Sequence, residues 1–320
     1  MIERVKFANL PTPVSSLPRL SEALGGPEIW VKRDDLTGLA FGGNKTRKLE
    51  FVLADVLKNN AQTLISVGAA QSNHCRQTAA MAAKFGLDCI LVLSGDPNEE
   101  LSGNLLIDEI LGAKIVWTDK ESRDATLQAT YETAEKEGRK PYLIPLGASN
   151  PIGSVAYAFA FEEIMQQMSK VDWVVFPSSS GGTQAGLVLG AAREQWTGHI
   201  LGISVDRGEV ELQNIVSNLA TLASKNIGES ISFTPDEILV NADYLGGGYG
   251  VVGDPEIEAT RLFARLEGII LGPVYTARAA AGMIDLIRKG FFKPTDRVLF
   301  WHTGGTPTIF APKYAQLMKF

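Results

Sequence analysis

The chain is predicted to be an α/β protein built on parallel sheets, and three observations carry that expectation. Short runs rich in β-branched and aromatic residues alternate with helical patterns almost throughout, the mark of successive βαβ units. At 320 residues the chain exceeds one ordinary core, so two domains or one large α/β unit are expected. Glycine- and serine-rich loops follow several of the strands, where ligands sit in open parallel sheets.

The first predicted strand is Glu28 to Lys32. Beyond it the turn Gly42-Gly43-Asn44-Lys45 leads into Leu49, Val52, Leu53, Val56 and Leu57, whose i, i+3, i+4 spacing predicts a helix from about Thr46 to Lys58 packed by that face. Further strands are predicted at Thr63 to Gly68, Cys89 to Ser94, Lys114 to Thr118 and Tyr142 to Leu146, then at Asp172 to Pro177, Ile200 to Val205 and Arg297 to His302. An amphipathic helix begins near Glu121 and ends before Gly138. Asp254-Pro255-Glu256 supplies a cap, a first-turn proline and acidic residues ahead of Ala259, Leu262 and Phe263. Gly147 to Gly153 and the glycine-rich Leu245 to Gly250 are the expected switch points between lobes.

Composition narrows the partners. With 45% hydrophobic and 21% charged residues the chain is globular. A net charge of −6 argues against nucleic acid and against an anionic membrane, since both need a basic footprint. No uninterrupted apolar run reaches the roughly 18 residues of a membrane span. The start, Met1-Ile2-Glu3-Arg4-Val5-Lys6, lacks the layout of a secretion signal, so the cytoplasm is the expected compartment. Cys75 and Cys89 are the only cysteines; they form no disulfide framework or zinc spacing and read as small buried hydrophobes.

Lys45 is where the chemistry concentrates. It sits between a glycine turn and the first turn of a helix, where the helix end and its neighbours Arg47 and Lys48 disfavour an ammonium and lower the pKa. A lysine held partly neutral is a nucleophile for Schiff-base chemistry; the ordinary alternative is a solvated surface charge. After the Thr63 strand, Gln71-Ser72-Asn73-His74 opens a helix whose free N–H groups suit a small carboxylate, although Ser and Asn there also serve as plain caps. After Trp173 to Phe176, Ser178-Ser179-Ser180-Gly181-Gly182-Thr183 exposes N–H groups and hydroxyls toward one point, as a phosphate monoester requires. This loop lacks both the lysine of a nucleotide P-loop and the G-x-G-x-x-G spacing. Gly272-Pro273-Val274-Tyr275-Thr276 and Trp301-His302-Thr303-Gly304-Gly305-Thr306-Pro307 add hydroxyls at element ends. A Schiff-base lysine, a phosphate cradle, a carboxylate pocket and hydroxyls for a ring nitrogen together describe a site for pyridoxal 5'-phosphate, with no metal.

Gly-Gly-Asn-Lys-x-Arg-Lys-Leu-Glu, Gln-Ser-Asn-His, Ser-Gly-Gly-Thr-Gln-Ala-Gly, Pro-Val-Tyr-Thr and His-Thr-Gly-Gly-Thr-Pro resemble, in order and approximate spacing from about Leu10 to Pro307, the pyridoxal-phosphate family of 1-aminocyclopropane-1-carboxylate deaminase and D-cysteine desulfhydrase. The resemblance implies a tryptophan-synthase-β-like two-domain fold. In it residues 46–154 form a smaller α/β domain inserted into a large cofactor-binding domain of residues 1–45 and 155–320, and the assembly is a homodimer. It implies Lys45, Ser72, Tyr249 and Tyr275 as catalytic residues. It further implies Asn44, Lys45, Asn73, Ser180, Gly181, Gly182, Thr183 and Thr276 around the cofactor, with Lys45 as the Schiff-base lysine. Ser72, Asn73, His74, Tyr249, Tyr275 and Thr303 would surround a small amino-acid substrate.

Two positions separate the subfamilies. Deaminases of this kind place glutamate after the Pro-Val-Tyr tyrosine and leucine after the histidine of His-x-Gly-Gly; here these are Thr276 and Thr303, the desulfhydrase pattern. A glutamate would keep the pyridine nitrogen protonated and the cofactor a strong electron sink, whereas a neutral Thr276 leaves it unprotonated, which suffices for expelling sulfide. The implied activity is conversion of D-cysteine to pyruvate, hydrogen sulfide and ammonia. Cyclopropane deamination and sulfite elimination from cysteate are the alternatives, and for a sulfonate Arg76 is the nearby basic residue. A non-catalytic binding protein is the rival from another class, disfavoured because pure binding needs no Schiff-base lysine. Gly272 departs from the family, which commonly carries aspartate there.

Overall fold

The computed structural model describes residues 2–318. Two sheets form. The larger runs in the order β1–β2–β10–β7–β8–β9, made by Val14–Ser16 (β1), Glu28–Arg33 (β2), Arg297–His302 (β10), Trp173–Ser178 (β7), His199–Ser204 (β8) and Leu239–Asn241 (β9). The smaller runs β5–β4–β3–β6, from Lys114–Thr118 (β5), Asp88–Ser94 (β4), Thr63–Ala69 (β3) and Pro141–Leu143 (β6). Only β1 pairs antiparallel, against β2; the other described pairs are parallel.

Each predicted strand is present. Tyr142 to Leu146 is shorter than expected, because β6 ends at Leu143 and Leu146–Ala148 turns as a 3-10 helix. The edge strands β1 and β9 were not predicted: three residues are too few for an alternation to register.

Helices flank both sheets: α1 (Pro18–Leu24), α2 (Asn44–Lys58), α3 (Asn73–Phe85), α4 (Gly103–Ile110), α5 (Arg123–Lys136), α6 (Pro151–Gln167), α7 (Gly182–Arg193), α8 (Glu209–Asn226), α9 (Asp254–Glu267), α10 (Thr276–Arg288) and α11 (Pro312–Leu317). At α9 the cap is Gly253, not Asp254; the Gly253 amide donates to Glu256 Oε2 at 3.0 Å.

Strands of a doubly covered parallel sheet bury both faces, which is why they read as continuous apolar runs. Val175, Ile203, Val298 and Phe300 face one side, against Phe263, Met283 and Ile287 of α9 and α10. Val174, Phe176, Leu299 and Trp301 face the other, against Tyr157, Phe161 and Leu187 of α6 and α7. Under the smaller sheet, Leu49, Val52, Leu53 and Val56 of α2 join Leu64, Met81, Leu91 and Ile144. Leu57, expected on the same face, is 46% exposed because it lies at the edge of that stripe.

α2 is thus shared between the units. Its Phe51 packs with the larger sheet's core, and its Arg47 is locked into a buried charge network. The Arg47 guanidinium lies 2.9 Å from both Asp34 and Glu163, Lys32 donates to Glu163 at 2.5 Å, and Tyr157 donates to Asp34 at 2.6 Å. Burial alone would raise the Asp34 pKa, but Arg47, Lys32 and the Tyr157 hydrogen bond together more than offset it and hold the carboxyl below its usual range. Breaking such a pair typically costs about 3–5 kcal/mol, so the start of α2 is firmly placed. Leu245 to Gly250, expected at a lobe boundary, instead lies within the larger unit between β9 and α9.

Candidate active site

The carboxyl ends of β3, β7 and β10 and the start of α2 converge on a cavity of about 190 Å³ between the two sheets. Lys45 borders it as the second residue of α2. Gly43, at φ 125°, precedes the helix; a Cβ there would lie 2.6 Å from Gln77 and 3.2 Å from the Thr303 carbonyl, so only glycine lets the two loops press together. The Asn44 amide donates to that carbonyl at 2.9 Å.

The Lys45 amine makes no hydrogen bond or ion pair among the described residues, and burial pulls its pKa down to about 8. The cause differs from the one expected. Arg47 points away into its carboxylate pair.

The serine–glycine loop opens α7 at one wall of the cavity, with Gly181 in the left-handed region at φ 80°. Ser180 Oγ is 2.7 Å from Ser149 Oγ, the Gly182 amide donates to Ser149 at 3.2 Å, and Asn44 donates to Thr183 Oγ1 at 3.0 Å. Beneath lies Lys48, which sequence reasoning used only as a neighbour of Lys45. It is fully buried and donates to Gly147 O at 3.2 Å and to Ser149 at 3.1 Å, with no carboxylate partner among the described residues. Burial, reinforced by Lys45, pushes its pKa well down. Its place three residues after Lys45 is the signal that could have found it: i and i+3 share a helix face. A Cβ on Gly182 would sit 2.6 Å from Ser149 and 2.9 Å from the Lys48 amine.

At the opposite wall Ser72 caps α3, accepting from the Cys75 amide at 3.2 Å. The amides of Asn73 and His74 therefore open the helix ahead of its internal bonds, as a carboxylate would need. Asn73 Oδ1 is engaged by Asn104 at 2.8 Å and Thr308 at 3.3 Å, leaving its NH2 as the free end. The His74 ring borders the cavity and is buried. Ser66 donates to Ile144 O at 2.9 Å, so His74 Nε2 is the donor in the 2.7 Å contact with Ser66, and burial keeps the imidazole neutral.

Arg76, expected near a substrate anion, is buried and bonds to Gly42 O at 2.7 Å and Asn104 at 3.0 Å; it does not reach the cavity. The cations that do border it, besides Lys45, are Lys120 and Arg123. Cys75 and Cys89 are free and buried, as expected.

Tyr249 and Tyr275 meet over the cavity, hydroxyl to hydroxyl at 2.8 Å. Burial, with Tyr249 adding to it, raises the Tyr275 phenol well above its usual pKa, so it stays protonated at neutral pH. Thr303 borders the cavity, whereas Thr276 is fully buried just behind it. Thr276 Oγ1 accepts from the Gly272 amide at 2.7 Å. Gly272 itself has a local reason: a Cβ there would lie 2.6 Å from the Gly305 carbonyl carbon.

The arrangement fits pyridoxal 5'-phosphate. A half-buried lysine of lowered pKa, the fully buried Lys48 amine under a helix start, and the orphaned hydroxyls of Ser94 and Ser178 in the cavity wall all await a polar, anionic occupant. Among the described residues no helix is long and apolar enough to cross a membrane, and no cluster of three His, Cys, Asp or Glu could hold a metal.

The comparisons with known proteins agree. The crystal structure of an ACC deaminase homologue matches with a TM-score of 0.90 and 39% identity, covering 99% of this chain and 95% of that one. A pyridoxal 5'-phosphate-dependent aspartate racemase matches at 0.66 and 17% identity, over 92% of this chain and 90% of that one. The processed form of threonine deaminase isoform 2 from Solanum lycopersicum matches at 0.65 and 17%, over 92% and 79%. The last two share the fold, which is the α/β, tryptophan-synthase-β-like architecture. Residues 5–304 match the family described as pyridoxal-phosphate dependent enzymes, and the chain belongs to that family.

Proposed function

We propose that the chain is a D-cysteine desulfhydrase, eliminating sulfide from D-cysteine to yield pyruvate and ammonia. Thr276 carries the reading. It is a neutral hydroxyl that accepts from the Gly272 amide at 2.7 Å and donates to the Gly272 carbonyl at 3.1 Å, so it brings no acid to a ring nitrogen. Among the described residues no acidic side chain borders the cavity to protonate that nitrogen instead.

When bound, pyridoxal phosphate withdraws electrons from the substrate's Cα, and with an unprotonated ring it does so weakly. That is enough where the leaving group is sulfide. The opened amides of α3 would hold the substrate carboxylate, and the Lys45 amine would take the Cα proton. The Cβ–S bond then breaks, with its electron pair leaving on HS⁻.

Two other substrates have specific support. The 39% identity to an ACC deaminase homologue favours cyclopropane deamination, and Lys120 and Arg123 at the cavity favour cysteate, whose sulfonate needs a cation. Sulfide and pyruvate from both enantiomers of cysteine, ammonia from the cyclopropane amino acid and sulfite from cysteate, measured side by side, decide among them.

The paired variant Thr276→Glu with Thr303→Leu recreates the deaminase-like residues. The kcat/KM ratio of D-cysteine to the cyclopropane substrate is expected to fall at least about tenfold, ~1.4 kcal/mol, a partial switch because the supporting shell is unchanged. A ratio unmoved in folded, cofactor-loaded enzyme would remove the two threonines as determinants.

We also propose a cytoplasmic homodimer in which residues 46–154 are an insert. The smaller sheet lies wholly within that range, and Phe41, Ile110 and Phe310, 68, 74 and 71% exposed, are surface a second copy would cover. Sedimentation equilibrium showing only monomer would exclude the dimer.

A further inference from the structure

Tyr249 sits in a loop with little shape of its own. Leu245 to Val251 contains four glycines, and Gly246, Gly248 and Gly250 have φ of 56, 100 and 74°. Such a segment is free to adopt many conformations, and fixing each residue costs about 1–2 kcal/mol of backbone entropy. Yet the Tyr249 hydroxyl lies 2.8 Å from that of Tyr275.

Arg278 supplies the restraint. It stands three residues after Tyr275, so it projects from the same side of α10, and it is 2% exposed. Its guanidinium donates to Gly248 O at 3.0 Å and to Val251 O at 2.5 Å, the carbonyls on either side of Tyr249. It also donates to Val205 O at 3.1 Å, and its Nε donates to Glu256 Oε1 at 2.8 Å. Tyr314 donates to Gly250 O at 3.0 Å, so the loop is held from two directions.

The charge of Arg278 is balanced by Glu256, which also receives the Gly253 amide at the start of α9. A planar fork with five donors can bridge three carbonyls and a carboxylate at once; a lysine ammonium cannot.

We propose that Arg278, with Glu256, is the positioning residue that holds Tyr249 against Tyr275 over the reacting carbon. It touches neither substrate nor cofactor. The proposal rests on the reading that the two tyrosines face the substrate, and it holds whichever amino acid is turned over. It predicts a defect in chemistry rather than in cofactor retention, because none of the Arg278 hydrogen bonds is made to Ser180, Gly181, Gly182, Thr183 or Lys48.

The test is a double-mutant cycle on the full-length enzyme with cofactor, using whichever of D-cysteine, cysteate or the cyclopropane amino acid the parent turns over. Arg278→Met is expected to lower kcat about 10- to 100-fold, the scale of a misplaced catalytic group, with the cofactor absorbance of the parent retained. In a Tyr249→Phe background the same change is expected to cost less than about twofold, since the hydroxyl that it places is already gone. Equal losses in both backgrounds would mean general structural support, and would overturn the proposal.

Amide hydrogen exchange supplies a readout independent of activity. Residues 245–251 should exchange faster in Arg278→Met than in the parent, while residues 180–183 should not; unchanged exchange in the loop also overturns it. Should Arg278→Met fail to fold, Arg278→Lys carries the same cycle, with a smaller loss that vanishes in the Tyr249→Phe background.

Discussion

Lys45→Ala is expected to abolish turnover while leaving the protein folded. The side chain faces the cavity and makes no hydrogen bond or ion pair among the described residues, so its removal costs little packing. Losing a general base alone typically slows a reaction ~10²- to 10⁴-fold. Lys45 is also the proposed covalent anchor, so a loss beyond about 10⁴-fold is expected. Steady-state sulfide and pyruvate assays on cofactor-saturated variant check this, with circular dichroism for the fold. Normal turnover would end the proposed mechanism.

The same amine gives a pH signature in the parent. Only neutral lysine attacks an aldehyde, and a pKa of about 8 makes the neutral form dominant above that pH. Recovery of cofactor by the apoenzyme should therefore quicken as pH rises through about 8 and then level off. A lysine at the ordinary ~10.4 would keep quickening.

Gly182→Asp is expected to weaken cofactor binding severely without unfolding the chain. Its Cβ would stand 2.6 Å from Ser149 Oγ and 2.9 Å from the Lys48 amine, so a carboxylate there would occupy the phosphate seat. It would also pair with the buried Lys48 amine, which among the described residues has no carboxylate partner in the parent. Lost phosphate contacts and like-charge repulsion should weaken cofactor affinity at least about 100-fold, ~2.7 kcal/mol. Titration of apoenzyme with cofactor, followed by absorbance, measures this; parental affinity would remove the phosphate assignment. Thr183→Ala should act in the same direction but less, because it deletes one hydroxyl and adds no charge.

Much of this site is legible in the chain. Lys45, the Ser72 cap and the Ser180–Thr183 loop are local features: each couples a glycine or capping residue to a helix start within a few positions, and local chemistry survives without knowledge of the rest of the fold. Long apolar strands such as Trp173–Ser178 are legible for the same reason. The three-residue β1 and β9 are not, because each is defined by a neighbour distant in sequence rather than by a pattern of its own.

The sequence by itself determined the α/β class, the order of the main strands, the lysine and the loops that a phosphate and a carboxylate require. Only the tertiary structure decided which charges act. It turned Arg47 into a buried structural partner of Asp34 and Glu163, withdrew Arg76 from the cavity, and set Lys48 beneath the phosphate loop. It brought Arg278 against carbonyls 27 and 30 positions away in sequence to hold Tyr249. The physical reason is that the electrostatic role of a side chain depends on its burial and on partners at a few ångströms, and those partners come from distant parts of the chain.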